Sequence, residues 1–230
     1  MTDRVETEDD ALRFMRRVKF ALRYNSTPTL PLASMYGATG EQRRAIELTN
    51  VLLARDEVIE TNIIADRLVL VHREIFPALY ALRVRFRAPR LSSEAEKAFG
   101  LIRNDGTATA GDIRRFLGVD GMKRPDPADS ALAELQRELL VDRGPSSVPK
   151  NGIPYLSKEG FPYRDFEKVH PELVKAAKRL KIDDARKILL DAPPHSLPGR
   201  QPPCSNCVSQ TPNADRFRAD RQLHTTGEVM

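Results

Sequence analysis

Apolar residues recur every three to four positions over residues 9–24, where Leu12, Met15, Val18 and Leu22 share one stripe beside Phe14. That period predicts a helix, capped by Asp9 or Asp10 and closed by Asn25-Ser-Thr-Pro28, because proline disfavours helical geometry in its predecessor. Thr29–Gly40 reads as a loop rich in Pro and Gly, and a second helix runs from Gly40 to Ala54 on Ile46, Leu48, Val51, Leu52 and Leu53. Asp56–Thr61 suits a short extended stretch and Ile64–His72 another helix, followed by a mixed pattern over Ile75–Arg85 that Pro77 would kink. Arg83, Arg85, Arg87 and Arg90 then alternate with Val84, Phe86 and Ala88. A period of two predicts an extended linker with one basic face.

From Leu91 the pattern sharpens. Ser92 and Ser93 offer caps to a helix over Glu94–Arg103, with Ala95, Ala98, Phe99 and Ile102 turned inward. Thr107–Thr109 is β-prone, and Gly111–Leu117 reads as a short helix burying Ile113, Phe116 and Leu117 before Gly118 stops it. A third helix starts near Pro127 and carries Leu132, Leu135, Leu139 and Leu140. Leu140–Arg143 and Ile153–Ser157 suit two strands joined across the Gly/Pro/Ser turn at Gly144–Asn151. Helix, strand, helix, helix, strand, wing, strand is the order of a winged helix. The expected fold is therefore mainly α with a small β wing: a winged helix-turn-helix plus flanking helices. Its divisions are an N-terminal helical region (1–90), the winged helix (91–157), a C-terminal helical segment (158–192) and a disordered tail (193–230), Pro-rich and polar.

Composition narrows the function. With 40% hydrophobic and 30% charged residues the chain reads as globular. The acidic start MTDRVETEDD is no secretory signal, and no apolar run approaches the roughly 20 residues a membrane span needs. A cytoplasmic location without membrane association is expected. The net charge of +5 is unevenly spread. Residues 1–90 carry 15 basic and 12 acidic side chains, residues 91–150 carry 9 and 10, and residues 151–230 carry 13 and 10. The winged-helix segment itself is slightly acidic, so the cations available to a nucleic acid lie largely on its flanks.

Cys204 and Cys207 form the one cysteine pair; with no second pair and Pro-rich flanks they read as exposed tail residues, and no metal or cofactor is expected. The histidines His72, His170, His195 and His224 have no flanking catalytic constellation, and His170, before Pro171, suits a helix cap. Gly37-Ala-Thr-Gly40 lacks the lysine and spacing of a phosphate loop.

Several stretches taken in order resemble the AlkZ-related winged-helix proteins of the AlkZ-type DNA glycosylase superfamily. They are Ala11–Phe20 (ALRFMRRVKF), Phe76–Leu82 (FPALYAL), Leu91–Glu96 (LSSEAE), Asp129–Leu139 (DSALAELQREL), His170–Val174 (HPELV) and Asp184–Leu190 (DARKILL). The resemblance implies winged-helix domains that engage DNA and a link to DNA repair. In its glycosylase members it implies a Gln-x-Gln or Gln-x-Asp motif that positions water for attack at the sugar. None of the five glutamines, Gln42, Gln136, Gln201, Gln210 and Gln222, opens such a motif. Gln136-x-Glu138 comes nearest, but it sits mid-helix, where an exposed polar position is expected. No catalytic residue is assigned, which argues against an enzyme. The leading expectation is DNA binding, mainly to the phosphate backbone, through Lys123, Arg124, Arg114, Arg115, Arg137, Lys150, Arg85 and Arg87. A glycosylase acting on alkylated or crosslinked bases is one alternative; a winged helix that binds a protein partner is the other.

Overall fold

The computed structural model describes residues 4–27, 30, 32–64, 67–86, 89–119, 126–145 and 161–192. Helix α1 (Glu8–Val18) opens on a capping box in which Thr7 and Asp10 satisfy each other's backbone N–H groups. Strand β1 (Phe20–Leu22) follows, then two helices, α2 (Met35–Thr39) and α3 (Gln42–Ala54), with Gly40 in left-handed geometry between them. Strands β2 (Val58–Ile64) and β3 (Arg67–His72) complete an antiparallel sheet of order β1-β3-β2.

The sheet is the centre of the N-terminal region: the extended stretch expected at Asp56–Thr61 overlaps β2, whereas Ile64–His72, expected as a helix, contains β3. Helices α1 and α3 cover one face through Met15, Leu48 and Leu52, against Leu70. Helices α4 (Phe76–Phe86), α8 (Phe166–Val169), α9 (Pro171–Arg179) and α10 (Ile182–Asp191) contribute Phe76, Phe166, Leu173, Val174 and Ala185 to the other, against Val69 and Val71. A central strand covered on both faces shows no alternation, so Leu68–Val71 reads from sequence alone as readily as a helix. Nor is Ile75–Phe86 broken by its proline. Pro77 occupies the first turn of α4, where no backbone N–H needs an intrahelical partner. Arg83 and Arg85 therefore stand on a helix, not on an extended linker.

The second half contains α5 (Ser93–Asp105), β4 (Thr107–Ala108), α6 (Ala110–Leu117), α7 (Pro127–Arg137), β5 (Val141–Arg143) and β6 (Tyr163–Asp165). The strands form an antiparallel sheet of order β4-β6-β5, which encloses with the three helices a separate core of Ala98, Ile102, Ile113, Leu132, Leu135 and Val141. The return strand expected at Ile153–Ser157 lies outside the described residues; the strand paired with β5 is β6. The fold is thus mostly helical with two small antiparallel sheets. Phe116, expected inside, is 54% exposed, and Leu190 on α10 is also solvent-facing. Among the described residues no helix is long and apolar enough to cross a membrane.

Candidate nucleic-acid interface

Local capping sets the three helices of the second half. Ser92 accepts the Ala95 N–H at the start of α5, and Thr109 forms a capping box with Asp112 at the start of α6. Gly118, in left-handed geometry, ends α6. Asp126 caps α7 with Pro127 in its first turn. Each such cap is worth about 1 kcal/mol. Together they fix the corner between α6 and α7.

Arg114, one of the expected DNA contacts, secures that corner. Its Nε lies 2.6 Å from Asp126 and an Nη lies 3.0 Å from Asp129. Burial opposes ionisation of Asp126, but the hydrogen bond and charge of Arg114, together with the backbone N–H groups of Ala128 and Asp129, outweigh it and hold the carboxyl below its usual range. Arg115 points outward with 79% of its side chain exposed, paired with Asp112 one turn back. Arg137, at the end of α7, is half-buried and joins Arg83 in lining a cavity of about 450 Å³ with Phe20, Ile63, Ile64, Leu79 and Leu82. Arg85 lies on α4; Arg87, Lys123, Arg124 and Lys150 fall outside the described residues. Of the eight expected cations, the structure brings Arg114 and Arg115 onto one helix and sets Arg137 apart from them.

Helix α7 is enclosed by the rest of the chain. Ala128, Ala131, Leu132 and Leu135 face the core it shares with α5 and α6. Gln136 turns the other way, against β2, where its side chain accepts from Asn62 and donates to the Glu60 carbonyl, each at 3.5 Å. Gln136 is therefore buried, contrary to the exposed position expected of it, because β2 packs on that side of the helix. Glu134 accepts hydrogen bonds from the Ser92 N–H (2.9 Å) and hydroxyl (2.7 Å), and Glu138 accepts one from Arg83 at 2.6 Å. Ser130 is the one exposed residue of α7.

A buried ionic triad locks this arrangement. Glu60 of β2 lies 2.7 Å from Arg23 and 2.7 Å from Arg143 of β5. The Arg143 guanidinium is 3.7 Å from the centre of the Phe161 ring, and that of Arg23 is 5.2 Å from it. Burial works against the charge on Arg23, yet Glu60, joined by Tyr24 and Tyr163, more than compensates and raises its pKa. The triad ties the first sheet to the second through buried side chains.

A basic surface not singled out from the sequence runs along α9. Lys175, Lys178 and Arg179 are exposed and line a cavity of about 430 Å³ with Glu167, Pro171 and Val174. Their spacing, three and then one, was the available signal; a stripe of that kind reads equally as the solvated side of an amphipathic helix.

A family model described as AlkZ related matches residues 6–201. No curated protein matches the chain, and no solved structure matches it.

Proposed function

The chain belongs to the AlkZ-related family, and on that premise we propose that it binds DNA through the phosphate backbone, using a winged-helix module of α5, β4, α6, α7, β5 and β6. The order of these elements and the sheet order β4-β6-β5 support the winged-helix reading. The observation that carries the mode of binding is the enclosure of α7. In helix-turn-helix proteins the corresponding helix enters the major groove and reads base edges. Here Ser130 is its one exposed residue, and the others are half-buried or buried. Contact then falls to cations around the module: Arg115 on α6, Lys175 and Arg179 on α9, Arg85 on α4, and Arg87, Lys123, Arg124 and Lys150 from the segments between the described elements. Arg114 contributes chiefly by holding α6 against α7.

The test is fluorescence anisotropy with a labelled duplex, comparing the natural chain with a variant carrying Arg115→Gln, Lys175→Gln and Arg179→Gln. The variant is expected to bind more weakly and to lose up to about 0.9 from the salt slope for each phosphate contact removed. An unchanged affinity and an unchanged slope would refute the assignment of these cations.

The acidic character of α7, with Asp129 and Glu134 on it and Glu138 at its C-terminal cap, suits a second reading better than it suits DNA: a winged helix that binds a protein. Partners retained on the chain from a nuclease-treated lysate, without a salt-sensitive shift of duplex DNA, would support it. The glycosylase alternative draws no support from Gln136, whose side chain is occupied inside the protein.

A further inference from the structure

The turn between α3 and β2, strand β5 and the start of α9 meet around His170. Its side chain is 3% exposed and packs against Phe166, ring centres 4.9 Å apart. Two carboxylates flank the imidazole: Nε2 is 3.2 Å from Asp142, and Nδ1 is 3.4 Å from Asp56. Asp142 is itself buried, against Arg164. Asp142 stands at Nε2, which leaves Nδ1 facing Asp56. Histidines that ligate metals are oriented in this way, by a carboxylate on the ring nitrogen that does not bind the ion.

Glu172, in the first turn of α9, supplies a third donor. One ligand atom each from Asp56, His170 and Glu172 lies within 4.8 Å of the others. In the structure Arg73 spans the two carboxylates, 2.6 Å from Asp56 and 3.2 Å from Glu172. A guanidinium carries one positive charge where two carboxylates face it. Its side chain is 35% exposed, so it has solvent to move into.

We propose that Asp56, His170 and Glu172 bind one divalent transition-metal ion of the zinc class, in exchange for Arg73. One imidazole and two carboxylates make a donor set suited to zinc or cobalt, and unlike the all-oxygen shells of calcium and magnesium. Bound there, the ion staples the α3–β2 turn to the start of α9.

The experiment uses the full chain with Cys204→Ser and Cys207→Ser, so that no thiolate contributes. Titration with Co²⁺ is followed by visible d–d absorption, and Zn²⁺ binding by calorimetry. One equivalent is expected to bind. Glu172→Gln, at an exposed position, should weaken binding by at least about tenfold, whereas Arg73→Gln should strengthen it by removing the resident cation. Loss of affinity in E172Q with a gain in R73Q is the signature of this site. No binding, an affinity indifferent to E172Q, or no tightening in R73Q overturns it.

Discussion

Glu60 and Arg143 pair at 2.7 Å between β2 and β5, on two different sheets, with neither side chain more than a few per cent exposed. Arg23 approaches the same carboxylate, so the triad holds two cations on one anion. That imbalance makes its members unequal. Glu60→Gln leaves two guanidinium groups buried without a counter-charge and should cost about 3–5 kcal/mol, the range for breaking a buried pair. Arg143→Met leaves the balanced Arg23–Glu60 pair and should cost clearly less. Urea unfolding of both variants measures the difference; equal losses would show that the excess charge is neutralised elsewhere.

Gln136 offers a second test, since it sits in the nearest approach to the glycosylase motif. Gln136→Leu removes its bonds to Asn62 and to the Glu60 carbonyl and strands a buried amide, at about 1–3 kcal/mol. DNA affinity at a temperature where the variant remains folded should match that of the natural chain. A stable variant with altered DNA binding would assign Gln136 to the ligand side instead.

His72 makes stability depend on pH. It is buried between β3 and α4, near Lys19, Arg16, Glu57 and Glu74. Burial, reinforced by Lys19, lowers its pKa below the ordinary 6.5. The unfolded chain therefore takes up this proton more readily than the folded one. The stabilisation is complete above about pH 6.5 and is lost as the pH falls below it. The urea midpoint should drop between pH 7.5 and 5.5, and His72→Gln should flatten that drop. An equal drop in both chains would place the titrating group elsewhere.

Which parts of this were legible in the sequence follows from the range of the forces involved. Ser92, Thr109 and the Asp126-Pro127 pair act within one helical turn, so α5, α6 and α7 could be read locally. The first cap was displaced only slightly, from Asp9 or Asp10 to Thr7, with Asp10 as its partner in the capping box. Strand β3 was misread because Val69, Leu70 and Val71 are buried on both faces and leave no period of two. Gln136 and Glu60 are 76 residues apart, and nothing near either announces the other. His170 occupies the expected place at a helix start, but its side chain makes no cap bond and turns instead to Asp142 and Asp56. The basic residues Lys175 and Arg179 were visible as letters; their common cavity was not.

The enclosed α7 leads to one consequence that binding data can decide. A protein that touches only phosphates binds unrelated duplexes with similar affinity and loses that affinity steeply with salt. The decisive measurement is a salt series of anisotropy titrations on two duplexes of equal length and unrelated sequence. The account predicts parallel lines of log affinity against log salt, superimposed for the two duplexes and falling steeply. Tight binding to one duplex alone, or no binding at low salt, would contradict it.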